Sequence, residues 1–129
     1  SGGNAYELSY VIFDLKMNNG LGGLMLDNMG NIAITDLYSP NTERITGNNN
    51  WVISHEYGTR NFRSYPVTAM GVGPAVVSNV GSVHPSTSST AGQGYMKLSN
   101  TGQLAVALSI STSENYVELF DFADSSGAV

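Results

Sequence analysis

The pair of residues most suggestive of chemistry is His55-Glu56, an imidazole beside a carboxylate. Such groups transfer protons or hold a metal ion when they converge on one point. Adjacent residues on a strand point to opposite faces, so these two are expected to diverge, although His55 could still meet His84 or an aspartate from another repeat unit. Because a buried polar group needs a partner, the favoured interpretation is that His55 forms a hydrogen bond that fixes strand order. No metal site is predicted.

The aspartates lie in turn-like segments. Asp27 opens a segment that resembles the start of a calcium loop, but the other acidic ligands and the bidentate glutamate of such a loop are missing, so a turn is predicted. Asp121 and Asp124 are expected to cap turns by accepting backbone N–H bonds, with a hydrolytic carboxylate pair as the alternative. Asp14 and Asp121 occupy equivalent places in the repeat described below, which favours a structural role.

Neither a Gly-x-Ser-x-Gly elbow nor a glycine-rich phosphate loop before a helix occurs in the sequence. No catalytic residue and no cofactor are therefore predicted, and the chain is expected not to be an enzyme.

Four aromatic residues lie close together in the sequence: Trp51, Tyr57, Phe62 and Tyr65. An exposed aromatic platform would suit a sugar ring or a peptide, whereas strand alternation predicts that half of these side chains are in the core. Trp51 and Tyr57, with His55 between them, are the candidate ligand-binding residues.

Composition narrows the class of protein. The 129 residues suffice for one domain, and 41% of them are hydrophobic. The net charge is −5, and the five Lys and Arg residues are scattered, so nucleic-acid binding is not expected.

No apolar run approaches the roughly 20 residues that span a bilayer, and membrane insertion is not expected. The chain contains no cysteine, and it does not begin with a signal peptide, which predicts a mature, internal or trimmed sequence.

Short alternating apolar runs, separated by Asn- and Gly-rich turns, predict an all-β fold. Three of these runs resemble one another and place Phe13, Tyr65 and Phe120 at equivalent positions, 52 and 55 residues apart. The segment Ser39-Pro40-Asn41 is expected to close the first section. The predicted strands cover residues 6–15, 24–26, 32–34, 43–46, 51–57, 62–68, 76–80, 95–99, 104–110 and 116–122, and a further strand is expected to start at 128.

A repeat of this length, with four antiparallel strands in each unit, is typical of a β-propeller blade. The predicted organisation is a single propeller segment, residues 1–129, with a partial unit at 1–41, a unit at 42–83 and a unit at 94–129. An exposed loop at 84–93 joins the last two units. About two and a half blades result, whereas closed propellers typically have four to eight. Either the chain is a piece of a larger one, which is favoured, or several copies assemble to close a ring.

Five segments, in order, resemble secreted propeller-like proteins of Bacteroidota. Asp14–Gly22 resembles their DMSLNGGLG segment, and Trp51–Gly58 resembles their WVITHEWG strand. The other three are Pro74–His84, the region from Gly94 to Ala107, and Tyr116–Val129, which resembles VELFDFDNSTGVV. The SPDG turn of that family is Ser99-Asn100-Thr101-Gly102 here, so the glycine is kept while the proline and aspartate are not.

The resemblance implies an exported, extracellular or cell-surface β-propeller region of a longer multidomain protein that is associated with type IX secretion and adhesion. It carries no catalytic residues over to this chain. The function expected is a non-enzymatic structural or interaction module, whose partners are the remaining blades, other copies of itself, or a protein or glycan ligand. The alternatives are a lectin-like module completed by oligomerisation and a hydrolase whose catalytic residues lie outside this segment.

Overall fold

A computed structural model of the protein describes residues 6–84, 92–109 and 114–129. Antiparallel strands dominate these residues, and no sheet closes on itself, so the all-β prediction is confirmed and the propeller remains a prediction. No helix in the described part of the chain is long and apolar enough to span a membrane. The chain divides into two compact units, one formed chiefly by Pro40–Val129 and the other by Glu7–Ser39.

The smaller unit holds short elements: β1 (Tyr6–Val11), β2 (Phe13–Asp14), α1 (Met17–Gly20), β3 (Gly23–Leu24) and the first part of β4 (Ile34–Gly47). The strand predicted at 6–15 is divided because β1 lies beside β4, whereas β2 pairs with β3. The turn predicted at 18–20 is confirmed. Its residues Asn18, Asn19 and Gly20 have φ values of 51°, 57° and 89°, a left-handed conformation that Asn and Gly tolerate best.

The larger unit begins with an antiparallel meander of β4, β5 (Trp51–Glu56), β6 (Asn61–Thr68), β7 (Gly71–Val72) and β8 (Val76–Asn79). Both β7 and β8 pair with β6, so they are one strand interrupted at Gly73-Pro74. The four strands predicted for this unit are therefore present.

The segment predicted to close the first section, Ser39-Pro40-Asn41, contains the boundary between the two compact units, which falls between Ser39 and Pro40. The strand itself is continuous there, because these residues lie inside β4. Pro40 lies next to an irregularity in register between Asn41 and Ile45, and its carbonyl accepts a bond from the amide of Tyr57 at 3.0 Å. A bulged position is one of the few places where a strand accommodates proline.

A second sheet of the larger unit has the order β11-β10-β9, formed by β9 (Met96–Leu98), β10 (Gln103–Ser109) and β11 (Asn115–Asp121). The turn before β10 is stabilised by Gly102, whose φ is 84°, and by the hydroxyl of Ser99, which accepts a bond from the amide of Gln103 at 2.9 Å. In place of the predicted further strand, Ala128 forms an isolated bridge with Ala123.

The core of the larger unit lies between the two sheets. The first sheet contributes Ile53 and Phe62, and the second contributes alternate residues of β10, which are completely or almost completely buried. Burial of this apolar surface is the main stabilising term of the unit. The full cluster is Ile53, Phe62, Met96, Leu104, Val106, Leu108 and Phe122.

The three repeat-equivalent aromatic residues have different environments. Phe13 is 56% exposed in a two-stranded hairpin, whereas Tyr65 is 3% exposed in the central strand β6. Phe120 packs at the margin of the core on β11, an edge strand. The sequence repeat therefore does not produce equivalent packing at these positions.

The loop predicted at 84–93 is exposed at Gln93 but not at His84 or Gly92. His84 is fully buried, and Gly92 is buried as well. The carbonyl of Gly92 accepts a bond from the amide of Glu43 at 3.0 Å, which holds this end of the loop against β4. The middle of the predicted loop, residues 85–91, lies outside the described part of the chain.

Candidate functional site

His55 lies on the core face of β5 and is completely buried. Its Nδ1 lies 2.8 Å from the carbonyl oxygen of Glu56, so Nδ1 carries the proton and donates it to that carbonyl. Nε2 is then an unprotonated acceptor, and no group in the described part of the chain donates a hydrogen bond to it. Burial lowers the pKa of His55 to about 4, with a contribution from the positive charge of Arg44, so the ring is neutral near pH 7.

His84 stacks on His55. The ring centroids are 3.3 Å apart and the ring planes differ by 12°, while Phe62 meets both rings edge-on. Among residues 6–84, 92–109 and 114–129, neither ring nitrogen of His84 has a hydrogen-bond partner. Burial, followed by the charges of His55 and Arg44, lowers the pKa of His84 to about 2. The structure thus contains two neutral, face-to-face imidazoles.

The stacked geometry of His55 and His84 favours a structural role over metal binding or catalysis. The lone pairs of an imidazole lie in the plane of its ring, so two nearly parallel stacked rings do not aim at one shared ion. No group of three or more potential metal-ligating side chains occurs among the described residues. The bond that His55 donates goes to its neighbour in sequence, so strand order is supported by the stack on His84 rather than by the predicted hydrogen bond.

His84 is itself held by its backbone. Its amide donates to the carbonyl of Thr59 at 2.7 Å, and its carbonyl accepts from the amide of Gly58 at 3.0 Å. These two backbone bonds fasten the segment after β8 to the turn between β5 and β6, and the ring stack fastens it to β5.

Glu56 points away from His55, as strand alternation predicts. Its carboxylate accepts bonds from Arg63 Nε at 2.6 Å, Asn61 Nδ2 at 2.9 Å and Thr59 Oγ1 at 3.3 Å. The Glu56 side chain is 4% exposed, so its carboxylate is almost completely shielded from solvent. The arrangement saturates the carboxylate, which makes it a structural anion rather than an available base.

Trp51 is half-buried rather than a free platform. Its indole N–H donates to the carbonyl of Asp124 at 2.8 Å, and its ring meets Phe122 edge-on, with the centroids 6.1 Å apart. The ring also lies against Gly127, where an added Cβ would approach it to 2.5 Å. Trp51 therefore shapes the turn at residues 124–127.

Tyr57 follows β5 and is also half-buried. The structure does not join the three candidate ligand-binding residues into one ring cluster, because Trp51 contacts Phe122 whereas His55 contacts Phe62 and His84. Their role in ligand binding remains a prediction.

Arg44 is a residue whose importance the sequence does not reveal. It is 1% exposed, and its guanidinium donates to three carbonyls: Ala107 at 2.9 Å, Gln93 at 2.5 Å and Gly92 at 3.5 Å. Burial lowers its pKa, a shift that the charge of Glu43 opposes. The side chain links β4 to β10 and to the segment before β9. In the sequence Arg44 is one of five scattered cations, and apolar alternation gives no signal for its burial, because its apolar neighbour Ile45 is the exposed residue of the two.

The predicted turn at Asp27 is present, whereas Asp124 differs from its prediction. Asp27 accepts backbone bonds from Met29 and Asn31, both at 2.9 Å, and these bonds lower its pKa, which confirms the turn. Asp14 accepts from the amide of Lys16 at 2.8 Å. The Asp124 carboxylate, by contrast, accepts bonds from the side-chain amides of Asn48 and Asn50, and no backbone amide of the described residues donates to it, so its predicted capping role is wrong.

A groove of about 500 Å³ lies next to Asp124. One wall is the Asn48-Asn49-Asn50 turn after β4, and the other is the turn at 99–102 between β9 and β10. Asn48 Nδ2 donates to Asp124 Oδ1 at 2.7 Å, and Asn50 Nδ2 donates to Asp124 Oδ2 at 3.3 Å. The run of three asparagines is the sequence signal for this groove, although the pattern by itself predicts only a turn.

Comparison of the chain with protein-family models, with curated proteins and with solved structures finds no match.

Proposed function

We propose that the chain is a non-enzymatic interaction module that packs its second sheet against another β-sheet of the same kind, as a segment of an exported, cell-surface β-propeller protein. The observation that carries this proposal is that the β10–β11 pair has apolar residues on both faces, with Lys97 of β9 beside Ala105 at the margin of the outer face.

One face of that sheet contributes to the core. Leu104 and Val106 are completely buried, and their register neighbours on β11 are Phe120 and Glu118. The opposite face carries Ala105 and Ala107 on β10, which lie beside Leu119 and Val117 on β11. Leu119 is 74% exposed and Val117 is 61% exposed. Strands that are apolar on both faces are typical of sheets that are covered on both sides.

The edge of the same sheet supports the proposal. β11 pairs with β10 on one side, and among the described residues no strand pairs with its other side. An edge strand with exposed aliphatic side chains favours association, and this strand carries none of the lysines that usually discourage it. We infer that the occupant is a further antiparallel sheet, which a second copy supplies when the chain is alone in solution.

The propeller part of the proposal rests on the four-stranded plan of the β4–β8 meander and on the resemblance of five segments to secreted proteins of Bacteroidota. The non-enzymatic part rests on the saturated Glu56 and on the stacked, neutral His55 and His84.

The native mass, measured by light scattering over a range of concentrations, tests the association. We expect multiples of the 13.6 kDa chain mass, and we expect the double variant Val117→Lys/Leu119→Lys to remain at 13.6 kDa. A wild-type chain that stays at 13.6 kDa at the highest accessible concentration would contradict the proposal.

A further inference from the structure

The groove between the Asn48-Asn49-Asn50 turn and the turn at 99–102 has the chemistry of a ligand site. Its volume, about 500 Å³, lies within the range of small-ligand pockets. Leu98 and the buried Phe122 supply its apolar part, and the remaining lining is polar. This combination offers an apolar surface for C–H groups and many hydrogen-bonding groups beside it.

The polar lining consists almost entirely of neutral groups. Each asparagine amide presents both a donor and an acceptor, and the hydroxyls of Ser99 and Thr101 can do the same. Among the described residues that line the groove, Asp124 is the only charged one, and none is a lysine, arginine or histidine. An anionic ligand would meet a carboxylate without a compensating cation, whereas a neutral, hydroxyl-rich ligand could pair with every group.

Part of this hydrogen-bonding capacity is unused. Asn49 and Asn100 are exposed, one on each wall, and within the described part of the chain their side-chain amides form no hydrogen bond. A ligand that lies in the groove can therefore bind both amides without breaking an existing contact.

The rest of the groove is already ordered. Asn48 Oδ1 accepts bonds from the amides of Asn50 and Trp51, both at 2.9 Å, which fixes the first turn. The two amides that bind Asp124 fix the orientation of its carboxylate. Groups that are oriented before binding lose less conformational entropy when the ligand arrives.

Trp51 acts here as a positioning residue. Its indole N–H donates to the carbonyl of Asp124, and its ring packs against Gly127. The sequence predicts Trp51 as a surface on which a ligand stacks. In the structure, Trp51 instead holds the Asp124 turn against the groove.

We propose that this groove binds neutral oligosaccharides, with the side chains of Asn49 and Asn100 on opposite walls and the oriented carboxylate of Asp124 as the contacts to sugar hydroxyls. This inference is independent of the sheet association proposed above, because Val117 and Leu119 do not line the groove.

The test uses the whole chain and a panel of neutral hexasaccharides, namely cellohexaose, laminarihexaose, maltohexaose, mannohexaose and xylohexaose, with oligogalacturonate and chondroitin sulfate as anionic comparators. Titration followed by NMR gives both the affinity and the location of binding. We expect at least one neutral sugar to bind and to shift the resonances of Gly102 and the asparagine turn, and the Val117→Lys/Leu119→Lys variant to bind it equally well.

The decisive variant is Asn49→Ala/Asn100→Ala, which removes the two free amides without touching a bond in the structure. We expect its affinity for the bound sugar to fall at least tenfold. The matched control is Asn28→Ala, an exposed turn asparagine outside the groove, which should bind like the wild type. Trp51→Phe should weaken binding while the protein stays folded, because the indole bond to Asp124 is lost.

Three results would overturn the inference: no binding of any neutral hexasaccharide by the folded chain, binding that the Asn49→Ala/Asn100→Ala variant retains in full, or binding of the anionic sugars alone.

Discussion

His55 and His84 stack face to face with their ring centroids 3.3 Å apart, and both side chains are completely buried. The contact joins β5 to the segment after β8, two parts of the chain that the sequence pattern does not connect. Because neither ring can accept a proton without placing a charge against the other and near Arg44, the stack makes the stability of the fold sensitive to acid.

The first prediction concerns this pH dependence. Both histidines have a pKa near 6.5 when unfolded, and folding lowers the pKa to about 4 for His55 and to about 2 for His84. Between about pH 6.5 and 4 the unfolded state therefore binds more protons, and the free energy of unfolding falls as the pH falls. Each histidine contributes roughly 1.4 kcal/mol per pH unit across this window. Urea unfolding at several pH values between 7 and 4 measures the slope.

The variant His84→Phe keeps an aromatic face against His55 and removes one titrating group. We expect the slope between pH 6 and 4.5 to fall to about half of the wild-type value. An unchanged slope in this variant would show that the stack is not the source of the acid sensitivity.

The second prediction concerns Glu56. Glu56→Ala removes the acceptor of three hydrogen bonds, including the ion pair with Arg63 at 2.6 Å. We expect the free energy of unfolding to fall by about 2 kcal/mol, since donors arranged around a buried carboxylate lose their partner. Glu7→Ala is the control, because Glu7 is exposed and should change stability little. Equal effects of the two substitutions in urea unfolding would contradict the role given to Glu56.

The third prediction concerns Arg44. Arg44→Ala removes donors to the carbonyls of Gly92, Gln93 and Ala107, and it leaves a space in a buried region. We expect a loss of about 3 kcal/mol. Arg60→Ala changes an exposed arginine and should stay within about 0.5 kcal/mol of the wild type. Thermal unfolding of both variants tests this difference, and a mild effect of Arg44→Ala would show that β4 and β10 do not depend on this link.

The fourth prediction separates backbone strain from packing. Gly127→Ala and Gly30→Ala both place alanine at a positive φ, 76° and 83° respectively. At Gly30 an added Cβ meets nothing within 4 Å, whereas at Gly127 it would lie 2.5 Å from the ring of Trp51. We expect Gly30→Ala to cost about 1 kcal/mol from strain alone and Gly127→Ala to cost at least 1 kcal/mol more. Equal costs would mean that Trp51 does not support the 124–127 turn.

Local features of this fold follow directly from the sequence. The alternating runs predict β5, β6, β10 and β11 to within about two residues, because burial on one face repeats every second residue. The Asn-Asn-Gly turn at 18–20 and Gly102 follow from the tolerance of Asn and Gly for positive φ. The divergence of His55 and Glu56 follows from the same alternation.

Long-range contacts could not be predicted in this way. The polar run after His84 indicated an exposed loop, but the histidine that precedes it is buried by a partner 29 positions away in the sequence. Arg44 is buried by carbonyls that are 48 to 63 positions away. Asp124 binds the amide of Asn48, 76 positions away. No pattern within a single strand or turn encodes such pairings, and they determine both the core and the groove.

The most direct test of the proposed association uses the absence of cysteine in the natural chain. A single Leu119→Cys variant is treated with a short bismaleimide cross-linker, beside a Met70→Cys control at a residue that is 96% exposed and lies outside the β9–β11 sheet. We expect covalent dimers from the Leu119→Cys chain and only singly modified monomers from the Met70→Cys chain. If the Leu119→Cys chain remains monomeric, or if both variants cross-link to the same extent, the outer face of that sheet is not an interface.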